Sequence, residues 1–333
     1  MKNRKLRELE VSPIGMGCMG FSHGYGKAPE RAYSIAAIRK AAAFGCTFFD
    51  TAESYGREMF YPGHNEELVG EALAPLRRDV VLATKLHLGA DEAGEAVYQA
   101  VRRHLEASMR RLQTDYVDLY YLHRVNEQIP VEEVAEAMGR LCREGLIRGW
   151  GLSQVSADTL DRANRVTPVT AVQNIYSMVE RGCEKEIFPF CLEKRIGVVP
   201  FSPIASGFLS GKVTAETRFE GDDVRKFVPQ LSRENIVANQ PILDILARYS
   251  AEKNATRAQL SLAWMLHKYP NVVPIPGSKN QQRILENLGA WDIELGQEEF
   301  EALEAALDAC PVHGRRGYVE TEQAAFGQNW ETR

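Results

Sequence analysis

The sequence predicts a single-domain (β/α)₈ TIM barrel, and three observations indicate this fold class. Short runs rich in β-branched and aromatic residues alternate with helix-period segments from one end of the chain to the other. Taking residues 12–17 as a first strand gives eight βα units, which favours a barrel over the alternative, a doubly wound open sheet. No linker or low-complexity stretch divides the 333 residues, so residues 1–333 form one predicted domain.

The predicted strands are apolar along most of their length rather than alternating. This pattern is typical of parallel strands in a sheet that is covered on both faces. In chain order they are SPIGMG (12–17), CTFFD (46–50), VVLATK (80–85), YVDLYYLH (116–123), LIRGWGLS (146–153), VTAVQN (169–174), IGVVPFS (196–202) and VVPIPGS (272–278).

Helix-period segments lie between these strands. The segment that begins at Arg257 follows Thr256, and Gln259 lies three residues after Thr256, which is typical of a capping box. The clearest helical segments are residues 30–44, 96–112, 131–145 and 257–269.

Three features are expected outside the minimal barrel. An N-terminal β-hairpin is expected before the first strand. After the seventh strand, Pro203 to about Ala238 carries no clear periodicity, and loops of this length are usually functional. A C-terminal tail after Cys310 is expected to fold over the barrel mouth; it contains Arg315, Arg316, Phe326 and Trp330.

Composition narrows the class of protein. Hydrophobic residues make up 44% of the chain and charged residues 26%, as in ordinary globular proteins. The net charge of −5 argues against nucleic acid as a partner, because phosphate-backbone binding needs a basic face. The charged N-terminus and the lack of a long apolar stretch predict no signal peptide and no membrane span, so a cytoplasmic protein is expected.

The six cysteines are scattered and lack zinc-ligand spacing, so no metal site is expected. Most are interpreted as reduced core residues; a nucleophilic cysteine is the alternative.

A formal GxGxxG motif at Gly15, Gly17 and Gly20 suggests a Rossmann cofactor site, but its context does not. The motif should open a helix, and an acidic residue should follow about twenty residues later, where the chain has Lys40. The glycines are instead expected to let the end of the first strand turn tightly or approach a ligand.

Polar residues stand at or just after the C-terminal ends of most predicted strands. In an α/β barrel these ends form the active-site face, so the side chains are expected to converge. They are Asp50, Lys85, His123, Ser153, Gln173 with Asn174, Ser202 and Ser278.

Carbonyl reduction would use four residues of this region. A tyrosine protonates the developing alkoxide best if a nearby ammonium lowers its pKa, and Tyr55 and Lys85 can supply this pair. Asp50 could hold the Lys85 ammonium charged, and His123 could donate to the carbonyl oxygen.

The motifs FFDTAESYG (48–56), ATK (83–85) and YLH (121–123) resemble those of the aldo-keto reductase family, in matching order along essentially the whole chain. The resemblance implies a catalytic tetrad of Asp50, Tyr55, Lys85 and His123, a small carbonyl substrate and NADPH as cofactor. GMGCMGFSHGYG (15–26) and FSPIASGFLSGK (201–212) are most similar to the branch that includes potassium-channel β-subunit-like reductases.

The same resemblance implies where the cofactor binds. Ser153 and Gln173 would hold the nicotinamide amide, and Phe201 would stack on its ring; Gln154 departs from the Asn or Glu usual in the family. Residues 207–212 would cross the pyrophosphate, and residues 275–290 would bind the adenosine 2′-phosphate. The full set is Gly17, Asp50, Ser153, Gln173, Phe201, Ser202, Gly207, Leu209, Gly211, Lys212, Gly277, Ser278, Lys279, Arg283, Glu286 and Asn287.

Two other functions stay open at this point. Some members of the family serve partly as regulatory or interaction subunits while keeping the cofactor. A Schiff-base aldolase with Lys85 as the nucleophile is the other possibility, although it leaves Ser278, Lys279 and Arg283 without a role. Specificity is expected to reside in loops after the strands, around Phe21, Tyr25, Arg124, residues 205–238 and the tail. The sequence does not indicate an oligomeric state.

Overall fold

The computed structural model describes residues 3–89, 92 and 96–316. Within these residues, seven parallel strands form one sheet in chain order, and two further strands form an antiparallel hairpin. The strands are β1 (Arg4–Leu6), β2 (Leu9–Val11), β3 (Met16–Gly17), β4 (Phe48–Asp50), β5 (Val81–Leu86), β6 (Val117–Leu122), β7 (Ile147–Ser153), β8 (Ala171–Gln173) and β9 (Gly197–Val198).

Helices connect the strands of the parallel sheet, as parallel neighbours require. The predicted helical segments correspond to the observed helices α1, α3, α4 and α9, with ends that differ by one or two residues. The helices are α1 (Arg31–Ala43), α2 (His64–Leu73), α3 (Val97–Leu112), α4 (Val131–Arg143), α5 (Ala157–Val166), α6 (Ile187–Lys194), α7 (Arg233–Ala238), α8 (Gln240–Glu252), α9 (Arg257–Lys268), α10 (Gln281–Leu288) and α11 (Gln297–Asp308).

The parallel sheet is curled, as shown by residues 272–277, which contact both of its outer strands. Val272 forms a parallel bridge with Val198 of β9, and Gly277 forms one with Gly17 of β3. The predicted strand at 272–278 is therefore observed as isolated bridges rather than as a continuous ladder. Pro274 and Pro276 explain this difference, because proline has no backbone N–H to donate.

The β1–β2 hairpin covers the N-terminal end of the sheet. Leu6 and Val11 are fully buried and join the apolar cluster inside the curl, which contains Phe48, Leu119 and other inward-facing residues. The Arg4 guanidinium donates to the backbone oxygens of Tyr269 and Val272 at 2.6 and 2.8 Å and also to that of Leu266. With this end closed by side chains, the C-terminal ends of the strands are left for a site.

The local signals at α9 are confirmed. Thr256 Oγ1 accepts from the Gln259 backbone N–H at 3.2 Å, and the Gln259 side chain accepts from the Thr256 N–H at 3.0 Å. These reciprocal bonds satisfy two N–H groups that have no partner within the helix, which is worth about 1 kcal/mol for such a cap.

The segment from Pro203 to Ala238 is more structured than its sequence indicates. It contains 3₁₀ turns at Ala205–Ser210, Val224–Phe227 and Pro229–Leu231, followed by the short helix α7. The Ser232 side chain caps α7 by accepting from the Asn235 backbone N–H. With only six residues, this helix is too short to show a helical period in its sequence.

The start of the C-terminal tail packs near this segment. The His313 N–H donates to Asn239 Oδ1 at 2.8 Å, and the Arg315 carbonyl accepts from the Gln230 N–H at 3.0 Å. Arg316 is buried beside Ser202. The predicted positions of Phe326 and Trp330 lie outside the described residues. The described part of the chain contains no helix with the length and apolar character of a membrane span.

Candidate functional site

A cavity of about 1240 Å³ opens at the C-terminal ends of the strands. Lys85, Leu209 and Gly211, three of the predicted site residues, do not line it. Lys85 lies behind its wall, fully buried, and Leu209 is fully buried in the core. The predicted residues that do line the cavity are Gly17, Asp50, Tyr55, His123, Ser153, Gln173, Phe201, Ser202, Gly207, Lys212, Gly277, Ser278, Lys279, Arg283, Glu286 and Asn287.

Four polar side chains meet at one end of this cavity. Asp50 ends β4, Lys85 is in β5, His123 directly follows β6, and Tyr55 is in the loop after β4. Lys85 Nζ donates to Asp50 Oδ1 at 2.5 Å and lies 3.1 Å from the Tyr55 hydroxyl oxygen. It also donates to the Thr51 carbonyl at 2.7 Å. The ammonium thus contacts three oxygen atoms, and two of these belong to residues that line the cavity, Asp50 and Tyr55.

Lys85 is held as a cation. Burial lowers its pKa, but the Asp50 carboxylate and the Tyr55 oxygen raise it more, so that its net pKa is above the ordinary value. A Schiff-base nucleophile must be a neutral amine, so this arrangement disfavours the aldolase alternative.

The sequence-based expectation for the pKa of Tyr55 is wrong in its net direction. Lys85 does lower this pKa, but burial raises it more, and the net shift is upward. The reason is that the hydroxyl is buried, so that water solvates its anion poorly. Tyr55 is consequently a neutral donor at neutral pH, which is the state that a general acid requires.

His123 is a neutral ring that faces Tyr55. Their ring centroids are 5.8 Å apart in an edge-on arrangement. Burial, followed by the charges of Lys85 and Arg124, lowers the pKa of His123 well below its ordinary value. His123 Nδ1 has no hydrogen-bond partner within the described part of the chain. The ring of His87 lies 4.4 Å from that of His123 and widens the aromatic wall beside Tyr55.

The ends of β7 and β8 bring Ser153 and Gln173 to the same wall. Gln173 Nε2 donates to Asp50 Oδ2 at 2.8 Å, so it fixes the carboxylate that contacts Lys85. Gln154, whose role the sequence left open, has φ of 55° and accepts from the Ile175 N–H at 3.1 Å. Asn174 is buried and pairs with the backbone of Val155, so it supports the loop rather than the cavity.

The backbone after Phe201 is strained where it borders the cavity. Ser202, Ala205 and Ser206 have φ of 53°, 47° and 54°, and residues other than glycine rarely adopt such backbone angles. Gly207 follows with φ of 97°, which glycine adopts without this cost. The buried Ser206 Oγ lines the cavity and has no hydrogen-bond partner among the described residues.

The far end of the cavity is basic and lies at the start of α10. Asn280 caps this helix through the Arg283 N–H, and the Arg283 side chain is exposed. Lys279 Nζ donates to the carbonyls of Tyr25 and Lys27, at 2.5 and 2.8 Å. Lys279 therefore ties the loop after β3 to this end, a contact that no local sequence pattern indicates.

Gly17 belongs to β3, and the next α-helix begins only at Arg31, so the GxGxxG motif does not open a helix and the rejection of a Rossmann site is confirmed. Of the residues proposed for specificity, Tyr25 and Arg124 line the cavity, whereas Phe21 is buried in the core.

The cysteines are free, and four of them are buried. Burial raises the pKa of Cys46 and of Cys183 to about 12, which disfavours a thiolate nucleophile at either position.

A charged cluster that the sequence analysis missed supports the wall next to Tyr55. His104 of α3 lies between two carboxylates, 2.8 Å from Glu53 Oε2 and 2.9 Å from Glu92 Oε1. The other carboxylate oxygen of Glu53, Oε1, accepts from the backbone N–H of His87 at 2.7 Å. His104 is 51 positions from Glu53 and 12 positions from Glu92 in the chain, so their proximity follows only from the fold.

His104 makes stability depend on pH in a defined window. The hydrogen bond to Glu53 raises the pKa of His104 to about 9, against the opposing effect of burial. The folded protein thus holds this proton more tightly than the unfolded chain, whose histidines titrate near ~6.5. The resulting stabilisation is complete below about pH 6.5 and is lost as pH rises through about 9.

We therefore expect His104→Gln to lower the free energy of unfolding by about 2 kcal/mol more at pH 6.5 than at pH 9.5. Urea denaturation of the wild type and of the variant at both pH values measures this difference. The contributions of the other titrating groups cancel, because they are present in both proteins. A loss that is the same at both pH values would contradict the assignment.

Residues 13–308 match the Aldo/keto reductase family. Among curated proteins, the chain is 37% identical over 315 residues to "Probable aldo-keto reductase 1" of Glycine max, which spans 93% of this chain and 89% of that protein.

Solved structures show the same relationship. An aldo/keto reductase from Klebsiella pneumoniae in complex with NADP and acetate is 32% identical, with a TM-score of 0.72 over 95% of this chain and 98% of that one. A glycerol dehydrogenase from Gluconobacter oxydans is 25% identical, with a TM-score of 0.81 over 92% of this chain and 95% of that one.

Proposed function

The chain belongs to the aldo/keto reductase family, and from that premise we propose that it is an NADPH-dependent reductase of small aldehydes or ketones in which Tyr55 is the general acid. The observation that carries the proposal is the Tyr55 hydroxyl, 3.1 Å from a buried ammonium and facing the same cavity as His123. Membership of the branch that includes potassium-channel β-subunit-like reductases stays a prediction from the sequence. Residues 272–277 would serve as the eighth strand of a closed barrel.

The residues along the cavity fit NADPH. Ser206 Oγ is buried without a partner among the described residues, and the strained loop that carries it turns the backbone toward the cavity. Such a loop suits a pyrophosphate, since its amides can point at one anion. The start of α10 and Arg283 suit the 2′-phosphate, and Phe201 suits the nicotinamide face. Leu209 and Gly211 would act only by shaping this loop, because neither lines the cavity.

In the proposed reaction the cofactor, when bound, supplies the hydride. His123 would orient the substrate by donating to its carbonyl oxygen, and its neutral state leaves one ring nitrogen with a proton for this purpose. Tyr55 would then transfer its proton to the same oxygen as negative charge develops there. Lys85 would stabilise the tyrosinate that results, and Asp50 with Gln173 would keep Lys85 in place.

The test is direct. Purified protein mixed with NADPH and a panel of aromatic and aliphatic aldehydes and ketones should consume NADPH in proportion to alcohol formed. Tight cofactor binding without turnover of any carbonyl would instead favour the regulatory-subunit alternative, for which no contact in the described part of the chain gives separate support.

Arg283 is expected to determine the preference for NADPH over NADH. The 2′-phosphate carries nearly two charges, and a charge-assisted contact with a guanidinium contributes about 1.5 to 3 kcal/mol. We expect Arg283→Ala to weaken NADPH binding more than tenfold and NADH binding little. Fluorescence quenching at constant salt concentration measures both Kd values.

Gln282→Ala is the matched control, because Gln282 is an exposed neighbour on the same helical turn. Equal weakening of both cofactors in Arg283→Ala, or no preference for NADPH in the wild type, would contradict the role of Arg283.

A further inference from the structure

Resting on the proposed reductase function, we propose that the substrates of this protein are carbonyl compounds that also carry a carboxylate, and that Arg124 is the residue that binds this carboxylate. The substrate class would be oxo acids, with the carbonyl between Tyr55 and His123 and the acid group on the Arg124 guanidinium. Arg124 would determine specificity without taking part in proton transfer.

Arg124 lies in the cavity wall directly after His123. Its Nη1 donates to the His123 carbonyl at 2.5 Å and to Ser153 Oγ at 3.1 Å. These bonds fix the guanidinium against the ends of β6 and β7. In the described part of the chain, no hydrogen bond is made by Nη2 or Nε, so the remaining edge of the planar group is free to bind another acceptor.

Arg124 is partly buried and also lacks a carboxylate partner among the described residues, although buried arginines are usually paired with one. The acidic side chains at this end of the cavity are each engaged elsewhere. Asp50 pairs with Lys85, Glu53 with His104, and Glu58 lies 2.8 Å from His23. The guanidinium is thus a fixed positive charge with no compensating anion of its own.

The neighbouring rings do not compete for an anion, because they are neutral. Burial, followed by the charge of Arg124, lowers the pKa of His87 to about 4, and the pKa of His123 is lower than its ordinary value for similar reasons. Arg124 directly follows His123, whose ring centroid lies 5.8 Å from that of Tyr55, and all three residues line the same cavity. A carboxylate on Arg124 would therefore lie within the dimensions of one small molecule whose carbonyl meets Tyr55.

An arginine favours a carboxylate through two parallel hydrogen bonds, which a neutral ester or amide cannot reproduce with the same strength. The competing role for Arg124 is structural: it would only position Ser153, and through it the cofactor. The two roles differ in their dependence on the substrate, since a positioning role affects all carbonyl compounds alike.

The experiment uses the three isomers of formylbenzoate and their uncharged methyl esters as substrates, with saturating NADPH. In the wild type we expect at least one acid to exceed its ester in kcat/KM. Arg124→Gln should lower kcat/KM for that acid by about 10- to 100-fold and for its ester by less than about threefold. Arg57→Gln removes an equal charge from an exposed position on the same cavity and is the matched control for long-range attraction.

Equal losses for acid and ester in Arg124→Gln, or equal losses in Arg57→Gln and Arg124→Gln, would overturn the proposal. Calorimetric titration with benzoate and with benzamide separates it from the reductase function. Weaker benzoate binding in Arg124→Gln supports the carboxylate site even if no carbonyl is reduced, and unchanged benzoate binding or none in the wild type overturns it.

Discussion

Tyr55→Phe is expected to lower kcat by about 10² or more while leaving the Kd for NADPH nearly unchanged. The substitution removes one oxygen atom and keeps the ring that faces His123 at 5.8 Å, so the shape of the cavity is preserved. What is lost is the only hydroxyl that contacts the Lys85 ammonium in the described site, and with it the proton for the alkoxide. Single-turnover measurements of NADPH oxidation would isolate this step from product release.

Tyr33→Phe is the matched control, since it removes a hydroxyl from another tyrosine that lines the same cavity. It should retain turnover close to that of the wild type. Near wild-type turnover in Tyr55→Phe would show that another group supplies the proton and would remove the basis for the proposed mechanism.

Lys85→Met is expected to reduce both activity and stability. Asp50 is 2% exposed, and without the ammonium its carboxylate would be buried unpaired, which typically costs about 3 to 5 kcal/mol unless the group takes up a proton. Activity should fall because Tyr55 would lose the charge that offsets the effect of burial on its pKa. Urea denaturation and the pH profile of kcat measure the two effects.

The double variant Lys85→Met with Asp50→Asn separates them. Removing both charges should recover much of the stability but none of the activity, since the buried carboxylate disappears while Tyr55 still lacks its ammonium. Full activity with an unchanged pH profile in Lys85→Met would show that Lys85 has only a structural role.

The strand ends were predictable because their signals are local. A buried parallel strand is a short apolar run, and the polar residue that follows it stands out against that run, as Asp50, His123 and Ser153 do. Once the barrel is inferred, the convergence of these residues follows from topology, because parallel strands bring their C-terminal ends to one face.

Other features of the site depend on contacts between distant segments, which no local pattern encodes. His104 belongs to the polar part of an amphipathic helix, and only the fold places it between Glu53 and Glu92. The net pKa of Tyr55 could not be predicted either. Its sign depends on the balance between the charge of Lys85 and the depth of burial, and burial depth is a property of the assembled structure.

The β1–β2 hairpin has a consequence for the order in which the chain is made. Arg4 leaves the ribosome well before its partner Leu266, which is synthesised 262 residues later. At about 5 to 20 residues per second, that interval is about 13 to 52 seconds. During this time Leu6 and Val11 lack β9 and the closing segment, so the nascent chain exposes an unfinished apolar interior. The interior of the curled sheet can therefore close only after the segment around Leu266 has been made, so the β1–β2 hairpin exists through this interval before its apolar side chains are fully buried.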